Sequence, residues 1–267
     1  MLEVCVDSLE SALNAIHGGA DELEICSSLT EGGLTPSAGL VKEISSVVNK
    51  IGTGSTIYKG CPTHCACQGL LKQPKLNVMI RCRTGSDFCY TDQEMDTMLA
   101  DVVILKQMNV DRFVFGALTN IQNIDEVKCA DIITKANKIP VTFHRAFDVS
   151  RDPIVSINKV IQLGFDRILT SGQRDFADND EAIVLIRNLQ NSFGDQIDIM
   201  PGAGVNCGNA RLFIDLGCKI VHSSCKGTRI LPKMNNHLNM GTGDSEHLYI
   251  TDVNIVKKMK EILQQIK

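Results

Sequence analysis

The sequence has no tryptophan, and aromatic residues make up only 4% of its 267 positions. So small a supply leaves little for stacking on bases or sugars. There is no excess of positive charge either. Lys and Arg number 27 against 31 Asp and Glu, a formal net charge of −4, so the basic footprint of a nucleic-acid binder is missing. No apolar run approaches the roughly 18 residues of a membrane span. Hydrophobic residues at 43% and charged residues at 22% match a folded globular chain and argue against disorder. The opening residues, Met1-Leu2-Glu3-Val4-Cys5-Val6-Asp7, lack the basic stretch and apolar core of a secretion signal and read directly as a strand. The expected setting is therefore the reducing cytosol. There, 11 cysteines remain thiols, acting as small buried hydrophobes or, in clusters, as metal or redox groups.

What the sequence does have is alternation. Strand-like runs at 2–6, 22–26, 76–80, 112–115, 140–143, 167–169, 197–200 and 219–222 are separated by amphipathic stretches. The latter fall at 9–16, 94–108, 125–135, 153–163, 182–189 and 211–216, and a last helix is expected at 253–266. Eight units of about 33 residues each suit βα repeats joined by crossovers, hence a parallel sheet. Gly19-Ala20-Asp21, Asn109-Val110-Asp111, Gly164-Phe165-Asp166 and Gly217-Cys218-Lys219 each stand between a helix and a strand. Gly or Asn there suits a left-handed helix stop. These signals precede the second, fourth, sixth and eighth strands, as in a closed (β/α)8 TIM barrel spanning 1–267 as one α/β domain. An open doubly wound sheet is the competing arrangement.

Two stretches break the rhythm. Residues 51–74, expected on the N-terminal face, contain Cys61, His64, Cys65 and Cys67, four soft ligands whose Cys-x-Cys spacing is too tight for the usual zinc knuckle. Residues 224–250 are expected to form a loop on the C-terminal face, with Met234, His237 and Met240 at three-residue spacing.

Strand alternation assigns the faces. Leu2, Val4, Val6, Leu23, Ile25, Val78 and Ile80 should pack under helices. That sends Glu3, Cys5, Glu24, Cys26, Met79, Arg81, Thr142 and His144 toward the barrel axis. Buried charges need partners, so Arg81 is expected to neutralise one glutamate and His144 to take part of the second charge. Glu24, Arg81 and His144 are thus expected to share one site, with His144 titrating near neutral pH. Cys5 and Cys26 are expected at matching heights on adjacent strands, where two thiols can hold one soft ion such as Cu(I).

The chain also resembles the CutC copper homeostasis family over nearly its whole length. The likeness rests on residues 2–8, Glu22-Leu23-Glu24-Ile25-Cys26, Glu31-Gly32-Gly33-Leu34-Thr35-Pro36-Ser37 and Met79-Ile80-Arg81. It continues through Val114-Phe115-Gly116-Ala117-Leu118, residues 141–148 (VTFHRAFD), 167–172 (RILTSG) and Met200-Pro201-Gly202-Ala203-Gly204. The resemblance implies a TIM barrel, a cytoplasmic location, self-association into a homo-oligomer, and Cu(I) held at Cys5 and Cys26. The chain departs from the family pattern at Cys82, where proline is usual, at Ala203 within a glycine triplet, and in the 51–74 insertion. An alternative from the residues alone is a barrel enzyme acting on a small phosphorylated or carboxylated metabolite. Backbone amides near Gly202, Gly204 and Ser223 would take the anion, Arg81 would grip it, and Glu24 or His144 would move a proton.

Overall fold

Helix starts and stops in this chain are written locally. In the computed structural model, which describes residues 1–52, 72–232 and 246–265, helix α1 (Leu9–Gly18) follows strand β1 (Leu2–Val6) and begins where Ser8 Oγ accepts the Ser11 N–H. It ends at Gly19, whose φ of +87° is the left-handed stop expected there. Asn109, Gly164 and Gly217 close later helices in the same left-handed region. Next come β2 (Glu22–Ile25), α2 (Ala38–Gly52) and β3 (Lys75–Met79). Helix α3 (Asp92–Leu105) opens with a reciprocal capping box between Thr91 and Glu94. Strand β4 (Arg112–Phe115), α4 (Glu126–Ala136), β5 (Val141–Phe143) and α5 (Pro153–Gln162) follow. Asp125 and Asp152 cap the two helices. The chain continues through β6 (Arg167–Thr170), α6 (Asp180–Phe193), β7 (Asp198–Pro201), α7 (Ala210–Asp215) and β8 (Val221–Ser223).

The eight strands are parallel in the order β7-β6-β5-β4-β3-β2-β1-β8, and β7 and β8 pack together to close the ring. This is a TIM barrel, and the open-sheet alternative falls away. Leu2, Val4, Val6, Leu23, Ile25, Val78 and Ile80 are buried in the main apolar core between strands and helices, on the face that alternation assigned them. Inside the ring, apolar residues among those described form two small clusters, Cys26 with Met79 and Val114, and Leu169 with Met200 and Ile220. Polar side chains fill the rest.

Residues 224–250 depart from expectation. Rather than one long loop, they begin and end in an antiparallel pair, β9 (Lys226–Ile230) and β10 (His247–Thr251). The pair lies along α1, where Asn14 Nδ2 donates to the Thr251 carbonyl at 2.8 Å. Both strands are five residues long and far apart in sequence, so no short turn signal announces them. Helix α8 (Val253–Gln264) ends the fold. Cys61, His64, Cys65 and Cys67, like Met234, His237 and Met240, lie outside the described residues.

Candidate metal centre and barrel-mouth cavity

The barrel floor is an ionic layer built by side chains from distant strands. Arg167 on β6 reaches across to Glu22 on β2, with Nη1 donating to Oε2 at 2.7 Å and Nη2 to Oε1 at 3.2 Å. Asn77 Nδ2 on β3 donates to Glu22 and also to Glu3 on β1. His222 Nδ1 on β8 lies 2.7 Å from Glu3 Oε1, and its Nε2 lies 3.8 Å from Glu24 Oε2. Burial opposes ionisation of Glu3, but the hydrogen bond and charge of His222, with Arg167 and Asn77, outweigh it and lower its pKa.

Strand alternation alone does not reveal this arrangement. Arg81, expected to neutralise a buried glutamate, pairs with none among the described residues; Arg167 and His222 do that work. Strand register corrects a second expectation. Glu3 stands opposite Glu22, and Cys5 stands opposite Glu24 rather than Cys26. Cys26 therefore sits two residues further toward the C-terminal mouth than the partner of Cys5. Its thiol reaches back to Glu24 Oε2 at 3.4 Å.

That register creates a compact donor set. One ligand atom each from Cys5, Glu24 and His222 lies within 4.8 Å of the others. Burial is the main force raising the Glu24 pKa to about 7; His222 pulls it down and Glu3 pushes it up. Burial opposes a charged His222 ring, yet Cys5, Glu24 and Glu3 around it raise its pKa well above the ordinary value. Burial, then Glu24 and Cys5, push the Cys26 thiol well above its usual range. Glu24 Oε1 is buried without a partner among the described residues.

Above this group opens a cavity of about 690 Å³, lined by residues at the C-terminal ends of the strands and in the loops that follow. Its volume suits a small ligand. Arg81, Glu24 and His144 all line it, so the structure brings together the three residues proposed as one site. Their roles differ from those expected. The Arg81 guanidinium donates to the carbonyls of Glu31 and Gly33, each at 2.9 Å, and of Gly85 at 2.7 Å. It thereby staples the loops after β2 and β3, and its charge stacks over Phe88, 5.4 Å from the ring centroid. His144 does not titrate near neutrality. Burial and the nearby Arg81 charge lower its pKa to about 3. The ring lies against Phe88 at 4.9 Å, and a Cβ on Gly116 would come within 2.6 Å of Nδ1, so a glycine is required beside it.

Of the residues expected to form an anion site, Gly204 and Ser223 line the cavity. Two of the groups around it are engaged within the protein. The Gly202 N–H donates to the Thr170 carbonyl at 2.9 Å as part of the barrel. Ser223 Oγ donates to the Val205 carbonyl and accepts the Cys225 N–H. The region's strongest polar knot is instead Asp148, which accepts from the Ser171 and Gln173 N–H groups, from both hydroxyls of Thr170 and Ser171, and from Arg145 Nε. This explains how residues 141–148 and 167–172 belong together. One motif supplies the carboxylate and the other its donors.

Comparison with known proteins agrees with this architecture. The CutC family model matches residues 1–58 and 66–227. A human relative named copper homeostasis protein cutC homolog is 36% identical over 272 residues, covering 100% of this chain and 90% of the relative. The chain belongs to the CutC family. A CutC family protein of Pasteurella multocida is 37% identical over 269 residues, covering 99% of each chain. The crystal structure of a copper homeostasis protein CutC from Streptococcus agalactiae superposes with a TM-score of 0.72 at 28% identity, covering 84% of this chain and 98% of that one. The family's name ties the barrel to copper homeostasis. Among the described residues, no helix is long and apolar enough to cross a membrane.

Proposed function

We propose that this CutC chain binds copper as Cu(I) in its barrel mouth and serves copper homeostasis in the cytoplasm, with Cys5 and Cys26 as the thiolate donors. The supporting observation is the Cys5, Glu24 and His222 group, whose ligand atoms lie within 4.8 Å of one another. Cys26 adjoins it through Glu24, and Met79 packs against Cys26. Thiolate and thioether donors favour Cu(I), and imidazole suits copper as well. A carboxylate is the hardest donor present, so Glu24 fits better as the acceptor of a displaced thiol proton than as the main ligand. The raised pKa values of Cys26 and His222 mean that loading must release protons, so affinity rises with pH. The cytoplasmic setting and self-association belong to the same reading, carried by resemblance to the family.

A competition titration of reduced protein against a Cu(I) chelator tests it. The parent is expected to take up Cu(I), and Cys5→Ser with Cys26→Ser to lose that uptake, because protonated hydroxyls replace soft sulfur. Equal uptake by the double variant would sink the assignment.

A further inference from the structure

We propose that Arg81 and His144, on the upper wall of the same cavity, bind the carboxylate of a small organic acid. Two buried N–H donors carry the inference. Arg81 is 5% exposed, and its Nη groups are taken by backbone carbonyls, yet Nε has no partner among the described residues. No described carboxylate pairs with the guanidinium, so only neutral carbonyl dipoles and the Phe88 ring face its charge. His144 is 3% exposed, and its Nδ1 accepts the Ala146 N–H at 3.2 Å. The neutral ring must then carry its proton on Nε2, which is also buried without a partner.

Both residues line the cavity, and Phe88 packs against both. Leaving two such donors unsatisfied is costly, and a full positive charge adds to the demand. Water would satisfy the N–H groups but not the charge. An anion satisfies both. Each side chain has one N–H left for an acceptor, and a carboxylate has two oxygens to offer. The walls carry Glu24, Glu31 and Asp148 against Arg81, Arg145 and Lys226, so no excess of positive charge calls for a dianion such as phosphate, while Leu29, Met79 and Phe176 offer an apolar seat for the rest of the acid. The inference stands apart from the copper reading, since neither Arg81 nor His144 belongs to the proposed donor set.

The test is calorimetric titration of reduced protein with pyruvate and with benzoate, at constant ionic strength and with a Cu(I) chelator present throughout. Inorganic phosphate and chloride serve as comparison anions. At least one carboxylate is expected to bind saturably, and more tightly than either comparison anion. Arg81→Lys removes loop contacts as well as Nε, so His144→Asn is the decisive variant. Its amide oxygen can still accept the Ala146 N–H, but nothing replaces the Nε2 donor. It is expected to weaken carboxylate binding about tenfold while the protein stays folded by circular dichroism. The proposal is overturned if neither carboxylate binds the parent saturably, if binding survives His144→Asn, or if phosphate binds as tightly. Because the chelator excludes copper, failure here and failure of the Cu(I) titration are separate results.

Discussion

His144 and His222 are both buried in one barrel, and their surroundings drive them in opposite directions. Around His222 are Cys5, Glu24 and Glu3, so the ring holds its proton, and the stability it adds is lost only as pH rises through its elevated pKa. His144 is buried among Phe88, Phe115 and Phe143 with Arg81 nearby, and its pKa falls to about 3. Below its ordinary value of 6.5, the unfolded chain binds a proton that the folded ring refuses, so acidification destabilises the protein between about pH 6.5 and 3. Glu24, raised to about 7, works the other way between its ordinary 4.5 and 7. The useful quantity is therefore a difference between variants. In urea melts at pH 7 and pH 4, His144→Asn should lose less stability on acidification than the parent, by on the order of 3 kcal/mol. Equal losses would contradict a neutral, buried His144. Strand alternation is enough to place Glu3, Cys5, Glu24, Arg81 and His144 inside the ring. It cannot reveal their partners, because Arg167 lies 145 positions from Glu22 and His222 lies 219 positions from Glu3.

At the scale of elements, legibility follows how local the signal is. Caps such as Ser8 and Asp152, and left-handed stops such as Gly19 and Asn109, act within one turn of their own helix, so the βα rhythm can be read directly. Register is not local, so alternation cannot tell that Glu24, and not Cys26, stands opposite Cys5. Close helix approach is equally hidden. Gly18, in the last turn of α1, packs against α8 so tightly that an added Cβ would lie 2.5 Å from Val256 Cγ1 and 3.1 Å from the Val253 carbonyl oxygen. In an open helix, replacing Gly by Ala gains about 1 kcal/mol. Here the clash should win, since overpacking costs about 1–3 kcal/mol. Gly18→Ala is expected to lower the denaturation midpoint, and Val256→Ala in the same chain to recover part of the loss by opening space. A Gly18→Ala protein more stable than the parent would show that α1 and α8 do not meet this closely.

Along the axis of the whole molecule, an ionic floor lies below an open mouth, the end at which TIM barrels place their active sites. On the floor, Arg167 is 2% exposed and sits between Glu22 and Glu3, themselves 2% and 0% exposed. Removing the arginine leaves two buried carboxylates with, among the described residues, Asn77 and His222 to answer them. Breaking a buried ion pair from one side costs about 3–5 kcal/mol, because the remaining charge is stranded. Arg167→Met should therefore lower Tm by roughly 6–20 °C in a chain of this size. Its apolar side chain fills similar space, so the loss is electrostatic. Adding Glu22→Gln, which removes one stranded charge, should return part of the stability. Cu(I) uptake per folded molecule should be unchanged, because no described hydrogen bond or ion pair joins Arg167 to Cys5, Glu24 or His222. A drop in uptake matching the drop in Tm would mean that floor and mouth are one cooperative site. A variant as stable as the parent would mean that the floor carboxylates are satisfied without Arg167.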